Sequence, residues 1–143
     1  MRLFLDTSVL LAACASASGA SREIFRIARI NRWVLVATPY VIEEVLRNLP
    51  DFPVSASGEW VRLRPEILVM DDVLTLNRPV VFPVSKDKPI LFGALAWADA
   101  LLTLDRGDFA VLLGTSFYGM PVSRPGDFLQ RERAAGRLRS PQP

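Results

Sequence analysis

The pattern of apolar and polar positions predicts short strands that alternate with helices. Apolar runs of three or four residues, typical of strands buried on both faces, occur at 3–5, 33–36, 67–69, 100–103 and 120–122. Amphipathic or largely apolar segments that favour helices occupy 21–30, 38–49, 59–64, 87–98 and the stretch from Pro125. This order predicts βαβ units, and therefore an α/β domain with helices on both faces of a mostly parallel sheet of four to five strands.

Breaker residues suggest how this domain is divided and where it ends. Residues 50–58 are rich in proline, serine and glycine and predict a connection, and residues 66–84 are the least regular part of the chain. We find no internal repeat and no long linker, so residues 1–135 are predicted to form one domain. Residues 136–143 are arginine-rich and end in proline, which predicts a disordered tail.

Two residue counts exclude several kinds of catalytic site. The 143 residues contain no histidine, which excludes a Ser-His-Asp triad, a Cys-His pair and any imidazole base. Cys14 is the one cysteine, so neither an intramolecular disulfide nor a thiolate zinc site can form. Catalysis by this chain would therefore depend on carboxylates, which favour a hard cation bound through oxygen.

The apolar start of the chain resembles a secretory signal but contains a charge. Asp6 lies inside the segment that would be the apolar core of such a signal, where a carboxylate is unfavourable. No run of 18 apolar residues follows, and the longest candidate, 90–104, is interrupted by Asp99. We therefore expect a cytoplasmic protein with no membrane association.

Several aspartates stand where α/β proteins place ligands. Asp6 and Asp105 each end a predicted strand, and the carboxyl ends of parallel strands share one edge of the sheet. Asp87 precedes a helix and Asp108 follows a turn, so either could reach the same crevice. Aspartates at such positions also commonly cap helices and turns, and this alternative stays open for all four residues.

Two further candidates are a glutamate pair and an arginine. Glu43 and Glu44 flank the apolar stripe of the predicted 38–49 helix on opposite sides, so periodicity cannot choose between them. All but two of the 17 basic residues are arginine, the better partner for phosphate. Arg106 could contact the phosphates of a polyanion, although a solvated surface is the simpler explanation for most of the arginines.

Four stretches in order resemble the PIN-domain family, which includes VapC-type toxins of bacterial toxin–antitoxin pairs. The last of them resembles the family's signature of alanine, aspartate, two apolar residues, threonine, any residue and aspartate. The four stretches are 3–11, 38–46, 86–96 and 98–109. The resemblance implies a PIN-like three-layer α/β/α fold and a metal-dependent ribonuclease.

Matched residue by residue, the resemblance assigns the site as follows. It implies catalytic roles for Asp6, Glu44, Asp87 and Asp105, and metal ligation by Asp6, Asp87, Asp105 and Asp108. Thr7 or Ser8 would be the accessory polar residue, and Arg106 remains a weak candidate for substrate phosphate. The implied cofactor is Mg²⁺ or Mn²⁺, and the implied reaction is hydrolysis of RNA phosphodiesters by a water molecule, leaving a 5′-phosphate.

The resemblance also implies partners, and alternatives to it remain. An antitoxin protein would bind if the chain is a toxin, and an apolar fraction of 50% favours covered surfaces such as a homodimer interface. One alternative function is a non-catalytic PIN-like module that binds RNA or protein. Another is a metal-dependent phosphatase on a related α/β fold, although the D-x-D pattern that some of these enzymes use is absent after Asp6.

Overall fold

The computed structural model describes residues 1–73, 88–107 and 109–142. Within these ranges six strands form one sheet: β1 Arg2–Leu5, β2 Val34–Ala37, β3 Ile67–Val69, β4 Ala100–Leu102, β5 Thr115–Phe117 and β6 Met120–Ser123. Six α-helices accompany them: α1 Thr7–Ala15, α2 Ala20–Ala28, α3 Pro39–Asn48, α4 Val54–Leu63, α5 Lys88–Trp97 and α6 Pro125–Ala134. The predicted α/β class is confirmed, whereas the sheet has six strands rather than the four to five expected.

The order of strands in the sheet places a topological switch beside β1. The order is β3-β2-β1-β4-β6-β5, and every pairing is parallel except that of β5 with β6. The chain moves from β1 through β2 to β3 on one side, then returns to β4 on the other side of β1. The position between the carboxyl ends of β1 and β4, called the crevice below, is therefore the topological switch point, which is where α/β proteins bind ligands.

Helices cover both faces of this sheet. Leu3, Phe4 and Leu5 of β1 are all fully buried, although alternate side chains of a strand point to opposite faces. Helix α5 packs against β1, β2 and β4, with Gly93 close to the ring of Phe4. Right-handed crossovers place the helices after β1 and β2 on the opposite face. The predicted three-layer arrangement is confirmed.

Helix α1 was not expected from the sequence pattern. Its residues are almost uniformly apolar, and Val9, Leu10 and Ala13 are among those fully or nearly fully buried. Because α1 contacts α2, α3 and α4, it is enclosed on several sides and has no polar stripe that would reveal a helical period. The same apolar stretch that imitates a secretory signal is therefore a central helix.

Two other elements also differ from expectation. Helix α4 begins at Val54, inside the predicted connection of 50–58, because Ala56, Trp60 and Leu63 recur on one face that packs on α1. Strand β5 was missed, and a tight turn joins it to β6 through Tyr118 and Gly119. Both turn residues have positive φ (49° and 84°), as in the two-residue turns that suit antiparallel hairpins.

The start of α3 was predicted correctly, but the hydroxyl residue before it does not cap it through its side chain. Thr38 precedes the helix, yet its hydroxyl makes no capping hydrogen bond and is buried without a partner among the described residues. Instead the Tyr40 N–H donates to Asp72 Oδ1 at 3.2 Å. A carboxylate from another segment thus replaces the local hydroxyl as acceptor at this helix end.

Part of the predicted tail contacts the domain. Asn31 and Arg139 exchange two hydrogen bonds between side chain and backbone, at 2.7 and 2.8 Å. Arg137 forms an ion pair with Glu132, and Leu138 packs against the core. The first residues of the segment 136–143, which the sequence predicts to be a disordered tail after a domain of 1–135, therefore have specific partners in that domain.

Cys14 is expected to be unreactive in the folded protein. Its side chain is buried in α1, and desolvation raises the pKa of its thiol to about 11, so little thiolate exists at pH 8. Iodoacetamide should therefore label native protein at least about tenfold more slowly than protein unfolded in urea. Mass spectrometry measures both rates, and equal rates would show that α1 is not buried as described.

Across the described ranges, no helix combines the length and the apolar character that crossing a bilayer requires.

Candidate functional site

The predicted site residues that the structure describes lie around the crevice between β1 and β4. Asp6 directly follows β1, and residues 103–105 directly follow β4. The two strands are in register, with Leu5 opposite Leu102, and the Asp6 N–H donates to the Leu102 carbonyl at 3.0 Å. Residues distant in the sequence are therefore brought together by one parallel pairing.

The Asp6 carboxylate accepts three hydrogen bonds from its surroundings. Its Oδ1 accepts from the Thr7 N–H at 2.7 Å, and its Oδ2 accepts from the hydroxyls of Ser8 and Thr103, both at 2.8 Å. The bond from Thr7 makes Asp6 the N-cap of α1, so the structural alternative considered for this aspartate is correct. Capping uses only part of the acceptor capacity of a carboxylate, and a ligand role remains compatible with it.

Burial makes the ionised form of Asp6 unfavourable. The residue is only 4% exposed, and desolvation raises the pKa of its carboxyl above the ordinary value of 3.8. The hydrogen bonds from Thr103, Ser8 and Thr7 oppose that rise, whereas the charge of Glu44 adds to it. Asp6 is thus a buried acid beside a second acid, an arrangement typical of sites that take up a proton or a cation.

The structure distinguishes the two glutamates of α3, which periodicity could not. Glu44 is half-buried and its Oε1 accepts from the Thr7 hydroxyl at 3.0 Å, whereas Glu43 is exposed. Thr7 therefore joins the two acids, since its backbone N–H contacts Asp6 and its hydroxyl contacts Glu44. Of the pair, Glu44 is the one that faces the crevice.

Asp105 is joined to Asp6 through Thr103. The Asp105 N–H donates to the Thr103 hydroxyl at 3.0 Å, and that hydroxyl donates to Asp6. The Asp105 carboxylate is half-buried, and its Oδ1 accepts from the Gly107 N–H at 2.8 Å, so this aspartate also caps a turn. Arg106, the next residue, is exposed at the rim.

Two of the predicted ligands cannot be placed. Asp87 and Asp108 lie outside the described residues, so their roles stay predictions. Within ranges 1–73, 88–107 and 109–142, no three acidic or thiol side chains come close enough together to hold a metal ion. Asp6, Glu44 and Asp105 surround one crevice, but they do not by themselves form a closed coordination shell.

Thr103 belongs to this site and was not identified as one of its residues from the sequence. It is fully buried at the end of β4, accepts from Asp105 and donates to Asp6. The signal for it was a single hydroxyl residue ending an otherwise apolar strand. That pattern is equally typical of a β-branched residue placed in a strand for its propensity.

Comparison with known proteins supports the fold. No family model and no curated protein matches this sequence. The chain is similar to a solved structure described as VapBC2 from Rickettsia felis bound to a DNA fragment from their promoter, with a TM-score of 0.63 and 12% identity. The match covers 87% of this chain and 98% of that chain. At this identity the likeness shows the fold alone, and it agrees with the PIN-like α/β class predicted from the sequence.

Proposed function

We propose that the protein is a metal-dependent endoribonuclease whose site is the crevice between β1 and β4. The observation that carries this proposal is the hydrogen-bonded network that gathers Asp6, Glu44 and Asp105 at the topological switch of the sheet. A buried carboxylate with a raised pKa beside a second carboxylate is costly for a fold to maintain. Such a cost is expected at a functional site.

The donor chemistry suits Mg²⁺ or Mn²⁺. Two ionised carboxylates about 4 Å apart repel each other by roughly 4 kcal/mol at an effective dielectric constant near 20, which a divalent cation would offset. Asp6 and Asp105 supply oxygen ligands, and the chain has no histidine and only a buried cysteine, so nitrogen and sulfur ligands do not compete. Asp87 and Asp108 are proposed to complete the ligand set.

Different residues of the chain would have different roles in hydrolysis. When bound, a divalent ion supplies a Lewis acid for the scissile phosphate and lowers the pKa of water. Glu44 has oxygen capacity beyond its bond to Thr7, so it can orient the attacking water and accept its proton. Asp6 is held in one orientation by its three hydrogen bonds, and the loop of Asp105 is fixed to it through Thr103.

The test is cleavage of single-stranded RNA by purified protein. We expect fragments that carry a 5′-phosphate in millimolar Mn²⁺ or Mg²⁺, and no cleavage in EDTA. Asp6→Asn should not cleave. Its matched control is Asp51→Asn, which changes an exposed carboxylate and should cleave at the wild-type rate. Cleavage that persists in EDTA would contradict the proposal.

The same assay separates the two alternatives. Hydrolysis of p-nitrophenyl phosphate with no RNA cleavage would indicate a phosphatase of small esters on this fold. Tight RNA binding without cleavage, unaffected by Mn²⁺, would indicate a non-catalytic binding module. The position of Glu44 next to Asp6 favours the catalytic function, because capping α1 requires one carboxylate and not a second acid beside it.

A protein partner forms part of the proposal. The similar structure is an assembly named VapBC2 on promoter DNA, and by extension this chain would act as a toxin with an antitoxin. Exposed apolar side chains on the α3–α4 pair would be covered by such a protein or by a second copy. Those side chains are Leu46, Val54 and Val61, at 54%, 92% and 71% exposure. Size-exclusion chromatography tests whether the protein is a homodimer, and a strict monomer at high concentration would contradict this proposal.

Arg106 is proposed to steer substrate phosphates towards the crevice. It is exposed directly after Asp105, so its charge acts near the site without being buried in it. Arg106→Gln should raise KM for RNA about two- to fivefold and leave kcat unchanged. The slope of log affinity against log salt concentration should become shallower by about one. Arg62→Gln, an exposed arginine on α4, is the control. Equal KM values for the two variants would remove Arg106 from the site.

A further inference from the structure

The hydroxyls of Ser8 and Thr103 converge on one oxygen of Asp6. Ser8 Oγ and Thr103 Oγ1 both lie 2.8 Å from Oδ2, although these residues come from different segments of the chain. The other oxygen, Oδ1, receives one bond, from the Thr7 N–H at 2.7 Å. The two oxygens of this buried carboxylate are therefore used unequally.

Backbone amides fix the direction of these hydrogen bonds. The Leu104 N–H donates to Ser8 Oγ and the Asp105 N–H donates to Thr103 Oγ1, each at 3.0 Å. An amide N–H can only donate, so each hydroxyl accepts from the backbone and has its single proton free for Asp6. Two parallel relays, from amide to hydroxyl to carboxylate, thus end on the same oxygen atom.

We propose that Ser8 and Thr103 are positioning residues that occupy both lone pairs of Oδ2 and leave Oδ1 as the single oxygen Asp6 offers to a cation. A carboxylate oxygen has two lone pairs in its plane, and two donors at 2.8 Å fill them. Among residues 1–73, 88–107 and 109–142, Oδ1 has one donor, which leaves it one lone pair. The inference rests on the proposed function where it concerns the cation, and on the apoprotein alone where it concerns the hydroxyls.

This arrangement limits what Asp6 can do as a ligand. With Oδ2 filled, Asp6 would offer one oxygen to a metal ion and could not place its two oxygens on two ions. The relays also tie the segment after β4 to the first residue after β1, so Asp105 keeps a fixed position relative to Asp6. A site built around Asp6 therefore holds one ion at this carboxylate.

Amide hydrogen exchange in the metal-free protein tests the relays without reference to catalysis. Thr103→Val keeps the shape of the side chain and removes its hydroxyl, so exchange at the Asp105 amide should rise about tenfold or more, with Leu104 unchanged. Ser8→Ala should instead raise exchange at the Leu104 amide and leave exchange at the Asp105 amide unchanged. Thr103→Ser keeps a hydroxyl, guards against a folding defect of the valine variant and should exchange like wild type. Wild-type exchange at both amides in both variants would overturn the proposal.

Mn²⁺ alone serves as the probe for the single-oxygen ligand. Electron paramagnetic resonance of wild-type protein at saturating Mn²⁺ should show isolated ions without the exchange coupling of a bridged pair. The affinity for Mn²⁺ should fall at least about tenfold in Ser8→Ala/Thr103→Val and stay within about twofold in Thr103→Ser. A coupled pair in wild type would overturn the proposal. Failure of Mn²⁺ to bind, with the exchange pattern as expected, would overturn the proposed function and leave only the hydroxyl relays.

Discussion

Asp6→Asn is expected to abolish RNA cleavage and at the same time to stabilise the protein at pH 7. Cleavage should fall by about a thousandfold or more, because the substitution removes the charged oxygen proposed to hold the metal ion. Stability should rise by about 1 kcal/mol, a usual gain when an unfavourable functional group is replaced. Asparagine caps helices as well as aspartate does, so the start of α1 is preserved.

The dependence of this gain on pH follows from the raised pKa of Asp6. The folded protein binds a proton at Asp6 more readily than the unfolded chain does, so ionising Asp6 lowers the free energy of unfolding. This decrease in the free energy of unfolding is complete at pH values above the folded-state pKa of Asp6. It becomes smaller as the pH falls through that pKa, and it is absent below the ordinary value of 3.8. The stability difference between Asp6→Asn and wild type should therefore be largest near neutral pH and disappear in acid.

Urea unfolding at several pH values measures this difference directly. Asp51→Asn, at an exposed position, serves as the control and should lie within about 0.5 kcal/mol of wild type at every pH. An Asp6→Asn variant that loses both activity and stability would show that the hydrogen bonds from Ser8 and Thr103 to the carboxylate outweigh the cost of burying its charge. A variant that keeps its activity would exclude Asp6 from catalysis.

Divalent cations are expected to raise the melting temperature of the wild-type protein. A ligand that binds only the folded state, at about one hundred times its Kd, stabilises by about 2.7 kcal/mol. For a chain of this size that corresponds to about 5 to 10 °C. The increase should be lost in Asp6→Asn and Asp105→Asn, because both carboxylates are proposed ligands.

Differential scanning calorimetry with and without Mn²⁺, at matched ionic strength, measures the shift in melting temperature. Because ion binding favours the charged form of Asp6, the shift should grow as pH rises from 5 to 8. An equal shift in the Asp105→Asn variant would locate the bound ions outside the crevice. A melting temperature indifferent to millimolar Mn²⁺ would argue against any metal site.

The sequence predicted the framework of the site because strand ends are encoded locally. Apolar runs ending in Asp6 and Asp105 defined the carboxyl ends of β1 and β4, and parallel pairing then required both aspartates to share one edge. No long-range information was needed beyond the alternation of strands and helices. The α/β class and the shared edge of these two segments followed from it, whereas the direct pairing of β1 with β4 is a finding of the structure.

What the sequence could not predict depends on contacts made only in the folded chain. Helix α1 has no polar stripe because other helices enclose it, so its periodicity is hidden. Glu44 is distinguished from Glu43 by the hydroxyl of Thr7, which arrives from a helix 37 residues earlier. The role of Thr103 likewise arises from its bond to Asp6, 97 residues away. The hydrophobic pattern predicts helix faces and strand ends. Contacts between distant segments of the folded chain determine which polar residues lie together.

We propose that carboxylates distant in sequence hold one divalent cation between β1 and β4. The most direct measurement is anomalous diffraction from crystals of the protein grown with Mn²⁺. We expect one strong peak within bonding distance of Oδ1 of Asp6 and of the carboxylate of Asp105. Peaks confined to the protein surface, with the Asp6 carboxylate contacting only its hydroxyl and amide donors, would contradict it.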